Sequence, residues 1–201
     1  MSRSRHRTQR CAQRHIRHRT TVKRSRDSPP SPPSPPSPPP QSTDMGHGIV
    51  ASRHLATYPQ RDSRIIHRMR ARGIELIVDL TNDTSPIHYN HAMYRRAGFR
   101  VIREKIANGA APSIQRIRWL CDQIHRTVSN GGKVLIHCHS GLGRTGTIIA
   151  CYFLYRGIDT TARQAIRRVR DRRPRSIETD KQVDAIERFA AAMITSNALQ
   201  R

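Results

Sequence analysis

Lys133-Val134-Leu135-Ile136-His137-Cys138-His139-Ser140-Gly141-Leu142-Gly143-Arg144-Thr145-Gly146 runs from an aliphatic stretch into a glycine-rich turn, and an apolar helical pattern follows from Thr147 to Tyr155. The aliphatic stretch predicts a buried strand over 133–137. A glycine-rich turn between a strand and a helix aims backbone N–H groups inward at the helix N-terminus, which makes a nest for an anion. The turn carries Cys138 and Arg144 in the spacing Cys-x5-Arg. A cysteine is nucleophilic as the thiolate, a form that positive surroundings favour. A guanidinium gives two parallel, charge-assisted hydrogen bonds to phosphate oxygens. The expected chemistry is attack of Cys138 on phosphorus while His139, Ser140, Gly141, Leu142, Gly143 and Arg144 hold the phosphate. Gly141, Gly143 and Gly146 let the backbone turn tightly against the ligand. Thr145 is placed to hydrogen-bond the thiolate as it leaves the phosphoenzyme. His137 belongs to the incoming strand and is expected to orient the loop rather than act as a base.

The neighbouring segments alternate between the two periodicities. Asp62 to Arg72 predicts a helix with Ile65, Ile66 and Met69 on one face, stopped by Gly73. Glu75 to Leu80 predicts a buried strand, His91 to Ala97 a short helix and Phe99 to Ile102 a further strand. A helix opens at Pro112 or Ser113 and buries Ile114, Ile117, Leu120, Cys121 and Ile124. Three more helices are expected over about 144–156, 161–173 and 179–195. Strands alternating with helices predict an α/β domain over 46–198, a central mostly parallel sheet flanked by helices.

The loop 137–146 resembles that of the protein tyrosine and dual-specificity phosphatases. Residues 134–156, together with Arg173-Pro174-Arg175-Ser176-Ile177-Glu178-Thr179, are similar to the small atypical dual-specificity phosphatases. The resemblance implies a phosphocysteine intermediate and neither metal nor cofactor. In the family a carboxylic acid on a separate loop protonates the leaving oxygen and later activates water. Here the corresponding stretch, 104–113, has Asn108 where an Asp is expected, and an amide does not donate a proton in that role. Two explanations stay open. Glu178 supplies the missing acid, because its segment resembles one that faces the active site in the atypical enzymes; otherwise Glu178 is an ordinary carboxylate at a helix start. Alternatively the substrate needs no acid, because its leaving group is a pyrophosphate. Ile77-Val78-Asp79-Leu80-Thr81-Asn82, with Tyr89 after it, is similar to the RNA 5′-triphosphatase domains of capping enzymes and their RNA 5′-phosphatase relatives. The expected substrate is thus a phosphorylated protein or, in the alternative, 5′-triphosphate RNA. In a third reading the chain is a catalytically weak module that binds phosphate.

The 201 residues carry a formal charge of +23 and a pI near 11.6. Such a chain favours polyanionic partners. Residues 1–45 are expected to be a disordered arm, Arg-rich and then built of Ser-Pro-Pro repeats, since they hold too few apolar side chains to offset chain entropy. The arm and helix 161–173, with Arg163, Arg167, Arg168, Arg170, Arg172 and Arg173 around its core face, are candidates for RNA binding; a solvated helix face is the plain alternative. The four cysteines, Cys11, Cys121, Cys138 and Cys151, form no C-x-x-C pair. That suits an intracellular, reducing compartment, nucleus or cytoplasm. No leader-like apolar run follows Met1, and no stretch reaches the roughly 20 apolar residues of a membrane span. The histidine pairs His15/His18 and His88/His91 lack the further ligands of a metal site.

Overall fold

The structure is a computed structural model that describes residues 42–53, 55, 59–84 and 90–198, without the side chains of 59–63 and 196–198. The expectations for residues 1–41, and for Tyr89, lie outside the described residues. Five strands form one sheet: β1 (Ser42–Gly46), β2 (Ile49–Ser52), β3 (Ile74–Asp79), β4 (Arg100–Arg103) and β5 (Lys133–His137). Their order is β1-β2-β5-β3-β4. The β1–β2 pair is antiparallel and the other pairs are parallel. Among the described residues six helices accompany the sheet: α1 (Pro59–Ala71), α2 (His91–Arg96), α3 (Ile114–Ser129), α4 (Gly143–Tyr155), α5 (Ala162–Arg172) and α6 (Asp180–Ala198).

Side chains that alternate along the strands divide the core between the two faces of the sheet. Val134 and Ile136 of β5, with Leu76 and Val78 of β3, pack against Ile117, Leu120 and Ile124 of α3 and against the buried helix α4. Leu135 and Ile77 point the other way, toward Met69 of α1 and Tyr94 of α2. Helix α4 is buried along nearly its whole length. It can carry apolar residues all round because α3, α5 and α6 surround it. Parallel strands joined by helical crossovers leave the ligand crevice at the strands' carboxyl ends, and β5 ends there at His137, directly before Cys138.

The hairpin β1–β2 departs from the expected boundary, since the sheet begins at Ser42 rather than after residue 45. Its first strand, Ser-Thr-Asp-Met-Gly, has no β-branched aliphatic run to mark it. The turn identifies it instead. Gly46, His47 and Gly48 all have positive φ, at 76°, 51° and 75°. Asp44 Oδ1 accepts the Gly46 N–H at 2.8 Å, which closes the bend. Among the described residues, no helix is long and apolar enough to cross a membrane.

Candidate active site

Cys138 is 1% exposed and sits between the end of β5 and the start of α4. The turn after it is built on Gly141, whose φ is +72°. A Cβ there would run into the carbonyl of Ser52 at the end of β2 and come within 2.8 Å of Arg53 N. Glycine is therefore required twice, for conformation and for the approach of β2. A Cβ added at Gly143 would run into the Glu178 carboxylate and lie 2.8 Å from Gln182 Nε2. At Gly146 it would meet Ser176 Cβ at 3.0 Å. The three glycines thus allow β2 and the 176–182 segment to close on the signature loop.

Arg144 is 5% exposed. Its Nη1 donates to Ile106 O at 2.9 Å and to Leu80 O at 3.3 Å, so the ends of two neighbouring segments hold the guanidinium. Thr145 is buried, and its hydroxyl has no hydrogen-bond partner within the protein. His139 is exposed and Ser140 half-buried. Ser140 Oγ accepts the Leu142 N–H over a long 3.4 Å.

His137 is fully buried between the ends of β2 and β3, in register with Ser52 and Asp79. Its Nδ1 lies 3.8 Å from Asp79 Oδ1. Asp79 is itself buried, accepts the Thr81 N–H at 2.9 Å and pairs with His91 Nε2 at 2.8 Å. Burial alone would push the Asp79 carboxyl up. Attraction to His137 and hydrogen bonds from Thr81 and His91 outweigh it, and the carboxyl titrates below its ordinary range. A depressed carboxylate stabilises the fold above its unfolded-state pKa of 3.8, and that stability is lost as pH falls through the lower folded value. Urea unfolding followed from pH 6 to pH 2 is therefore expected to show an acid loss of stability that is smaller in Asp79→Asn. An identical acid limb in both proteins would refute the assignment.

Cys121 and Cys151 are also buried, but in the apolar core, where burial pushes both thiols well up. Buried thiols raised in this way are poor nucleophiles, whereas Cys138 opens the loop that carries Arg144.

Asn108 lies in a tight turn. Ala110 N–H donates to Ala107 O at 3.1 Å, and Gly109 has φ +74°, as the third position of a type II turn demands. Asn108 is exposed. The turn is tied to the far side of the site: Thr179 Oγ1 donates to Gly109 O at 2.7 Å, and Gln182 Nε2 reaches Ala110 O at 3.5 Å. Glu178 approaches the loop from a strained backbone. Arg175 and Ile177 have φ of +67° and +62°, and a β-branched residue in that region costs on the order of 1–3 kcal/mol. Arg170 holds the strained segment through Ser176 O at 3.1 Å and Ile177 O at 3.0 Å. Glu178 N donates to Gln182 Oε1 at 2.8 Å.

The arginines of α5 do not form one solvated row. Arg168 makes a two-point pair with Asp159 at 2.8 and 2.9 Å, Arg170 is spent on the backbone, and Arg173 is 1% exposed. Helical periodicity located these arginines correctly but could not see that the chain turns back under α5 at residues 173–177. Asp79, Gln182 and Arg173 are the residues whose part in the site a linear reading undervalues. For Asp79 the available signal was a carboxylate directly after the apolar run Leu76-Ile77-Val78 of its strand.

A family model described as "Polymorphic toxin system, DSP-PTPase phosphatase" matches residues 56–158, which include the signature loop. The chain is 30% identical over 141 residues to protein tyrosine phosphatase domain-containing protein 1 of Bos taurus, a match covering 65% of this chain and 18% of that protein. It is 32% identical over 114 residues to cyclin-dependent kinase inhibitor 3 of Sus scrofa, covering 54% of each. The chain therefore spans less than a fifth of the first relative and about half of the second. Among solved structures, Tk-PTP in the active form superposes with a TM-score of 0.66 at 28% identity, over 76% of this chain and 97% of that one. With the α/β fold, the buried cysteine at the end of β5 and the loop that follows it, these matches agree: the chain belongs to the DSP-PTPase phosphatases, cysteine-based hydrolases of the protein tyrosine phosphatase superfamily.

Proposed function

We propose that the chain is an atypical dual-specificity protein phosphatase that works through a phosphocysteine at Cys138. Cys138 Sγ bonds to phosphorus as the bond to the leaving oxygen breaks, and that oxygen takes a proton from Glu178. Water then attacks phosphorus, giving its proton to Glu178. The sulfur–phosphorus bond breaks and inorganic phosphate leaves. Arg144 and the backbone N–H groups of 139–144 carry the phosphate charge in both steps, and the free, buried Thr145 hydroxyl is available to the departing thiolate. His137, held beside Asp79, orients the loop. The observation that supports this reading most directly is the Glu178 carboxylate packed against Gly143 at the start of α4. Glu178 and Asn108 are both exposed. The relatives named as phosphatases favour a phosphorylated protein as substrate.

Glu178→Gln is expected to lower kcat on a tyrosine-phosphorylated peptide by about a hundredfold, the lower range for a general acid–base group. KM should change little, and one limb of the pH–rate profile should disappear. An unchanged rate at every pH would remove Glu178 from the mechanism.

Asn108 keeps a second reading, RNA 5′-triphosphatase, because a pyrophosphate leaves without a proton. Phosphate release from 5′-triphosphate RNA and from a tyrosine-phosphorylated peptide, both free of metal, decides between them. Faster release from the peptide supports the protein phosphatase; faster release from RNA supports the alternative and gives the surplus positive charge a use. Release no greater than from Cys138→Ser on either substrate leaves the binding module.

A further inference from the structure

Arg173 is the largest of the fully buried side chains, and a buried guanidinium needs partners to offset its desolvation. Its partners are carbonyls of the signature loop. Nε donates to Gly141 O at 2.8 Å and Nη2 reaches Ser140 O at 3.5 Å. Nη1 donates to Thr43 Oγ1 of β1 at 2.8 Å. The backbone of Arg173 is fixed in turn by its N–H bond to Val169 O at the end of α5.

In a trans peptide the C=O of one residue and the N–H of the next point in opposite directions. Drawing the Ser140 carbonyl toward Arg173 therefore turns the Gly141 N–H away from it. Drawing the Gly141 carbonyl the same way turns the Leu142 N–H away. Those two N–H groups belong to the stretch that forms the anion nest. The Leu142 N–H already faces Ser140 Oγ, at a 3.4 Å separation that an arriving oxyanion can replace.

We infer that Arg173 is a positioning residue that sets the peptide planes of Ser140–Gly141 and Gly141–Leu142, anchored by Thr43, so that the phosphate nest exists before ligand arrives. The inference rests on the proposed phosphate site at 139–144. Two further features agree with it. Burial lowers the Arg173 pKa, as enclosure of a guanidinium by the loop requires, with attraction to Cys138 opposing and repulsion from Arg53 adding to it. The end of β2 presses on Gly141 from the Ser52–Arg53 side, which leaves those planes little room to relax. The amino-terminal hairpin thereby becomes a wall of the phosphate site.

Inorganic phosphate binding to the full chain carrying Cys138→Ser, measured by titration calorimetry, tests this without turnover. Adding Arg173→Gln is expected to weaken phosphate binding at least about tenfold, because a preorganised set of N–H donors is lost. Arg173→Lys keeps the charge without the fork and should fall between the two. Thr43→Val removes only the anchor and should cost about threefold, with the melting temperature nearly unchanged. Should Arg173→Gln fail to fold, Thr43→Val decides. Affinity within twofold of the parent in the folded variants overturns the role of Arg173. Parent-like binding in Arg173→Lys alone reduces that role to charge and overturns the setting of the peptide planes. Absence of phosphate binding in the Cys138→Ser parent defeats instead the reading of 139–144 as the phosphate site.

Discussion

Cys138→Ser is expected to abolish phosphate release from every substrate, by at least about ten-thousand-fold, the scale on which loss of an enzymic nucleophile is felt. The fold should survive, because the exchange of sulfur for oxygen is nearly isosteric at this buried position directly after β5. The reason for the loss is chemical. A serine hydroxyl holds its proton far more tightly than a thiol, and nothing in the loop is placed to remove it: His137 is fully buried beside Asp79 on the incoming strand. Alkylation gives an independent reading. Among the described residues the other cysteines, Cys121 and Cys151, lie in the core with thiols pushed up by burial, so in a Cys11→Ser background iodoacetamide should modify Cys138 first and inactivation should track that one modification. Substantial turnover in Cys138→Ser would place the nucleophile elsewhere and dismiss the phosphocysteine.

The strand, the signature loop and helix α4 were legible because all their constraints are local. Lys133–His137 was expected and found with the same bounds, and α4 begins one residue earlier than expected, at Gly143. Ser113 caps α3 through its hydroxyl to Arg116 N, as its place before an apolar-periodic run predicts. What the chain does not display along its length is the use of long-range partners. In the sequence Arg173 is one of six arginines around a helix, a candidate RNA-binding track or a solvated face, because periodicity knows only the helix and not the carbonyls of Ser140 and Gly141 thirty residues earlier. The strand β1 was read into the arm, because its stabilisation comes from pairing with β2 and from the Gly46–Gly48 turn rather than from propensity. Glu178 has two open roles in the chain, general acid or helix-start carboxylate, and its place against Gly143 could not be read there because the positive φ of Ile177 has no signature in residue type.

Arg144→Lys is expected to lower kcat/KM by about a thousandfold, the upper range for loss of one preorganised charge-stabilising group. Charge is conserved, so the loss measures geometry. The Arg144 guanidinium is buried, and one of its nitrogens is committed to Ile106 O and Leu80 O. These carbonyls fix the plane of the fork and leave its other edge for phosphate. A lysine ammonium has no plane to fix, and to reach either carbonyl it must abandon the ligand. The same two bonds link the phosphate clamp to the ends of β3 and to the segment that enters the Asn108 turn. The substitution should therefore also loosen that turn, which Thr179 and Gln182 hold from the opposite side. Faster hydrogen exchange over residues 106–110 in Arg144→Lys is the expected companion to the kinetic loss. A thousandfold loss with unaltered exchange would confine Arg144 to the phosphate, and near-normal kcat/KM would show that charge alone suffices and that the carbonyl clamp has no bearing on catalysis.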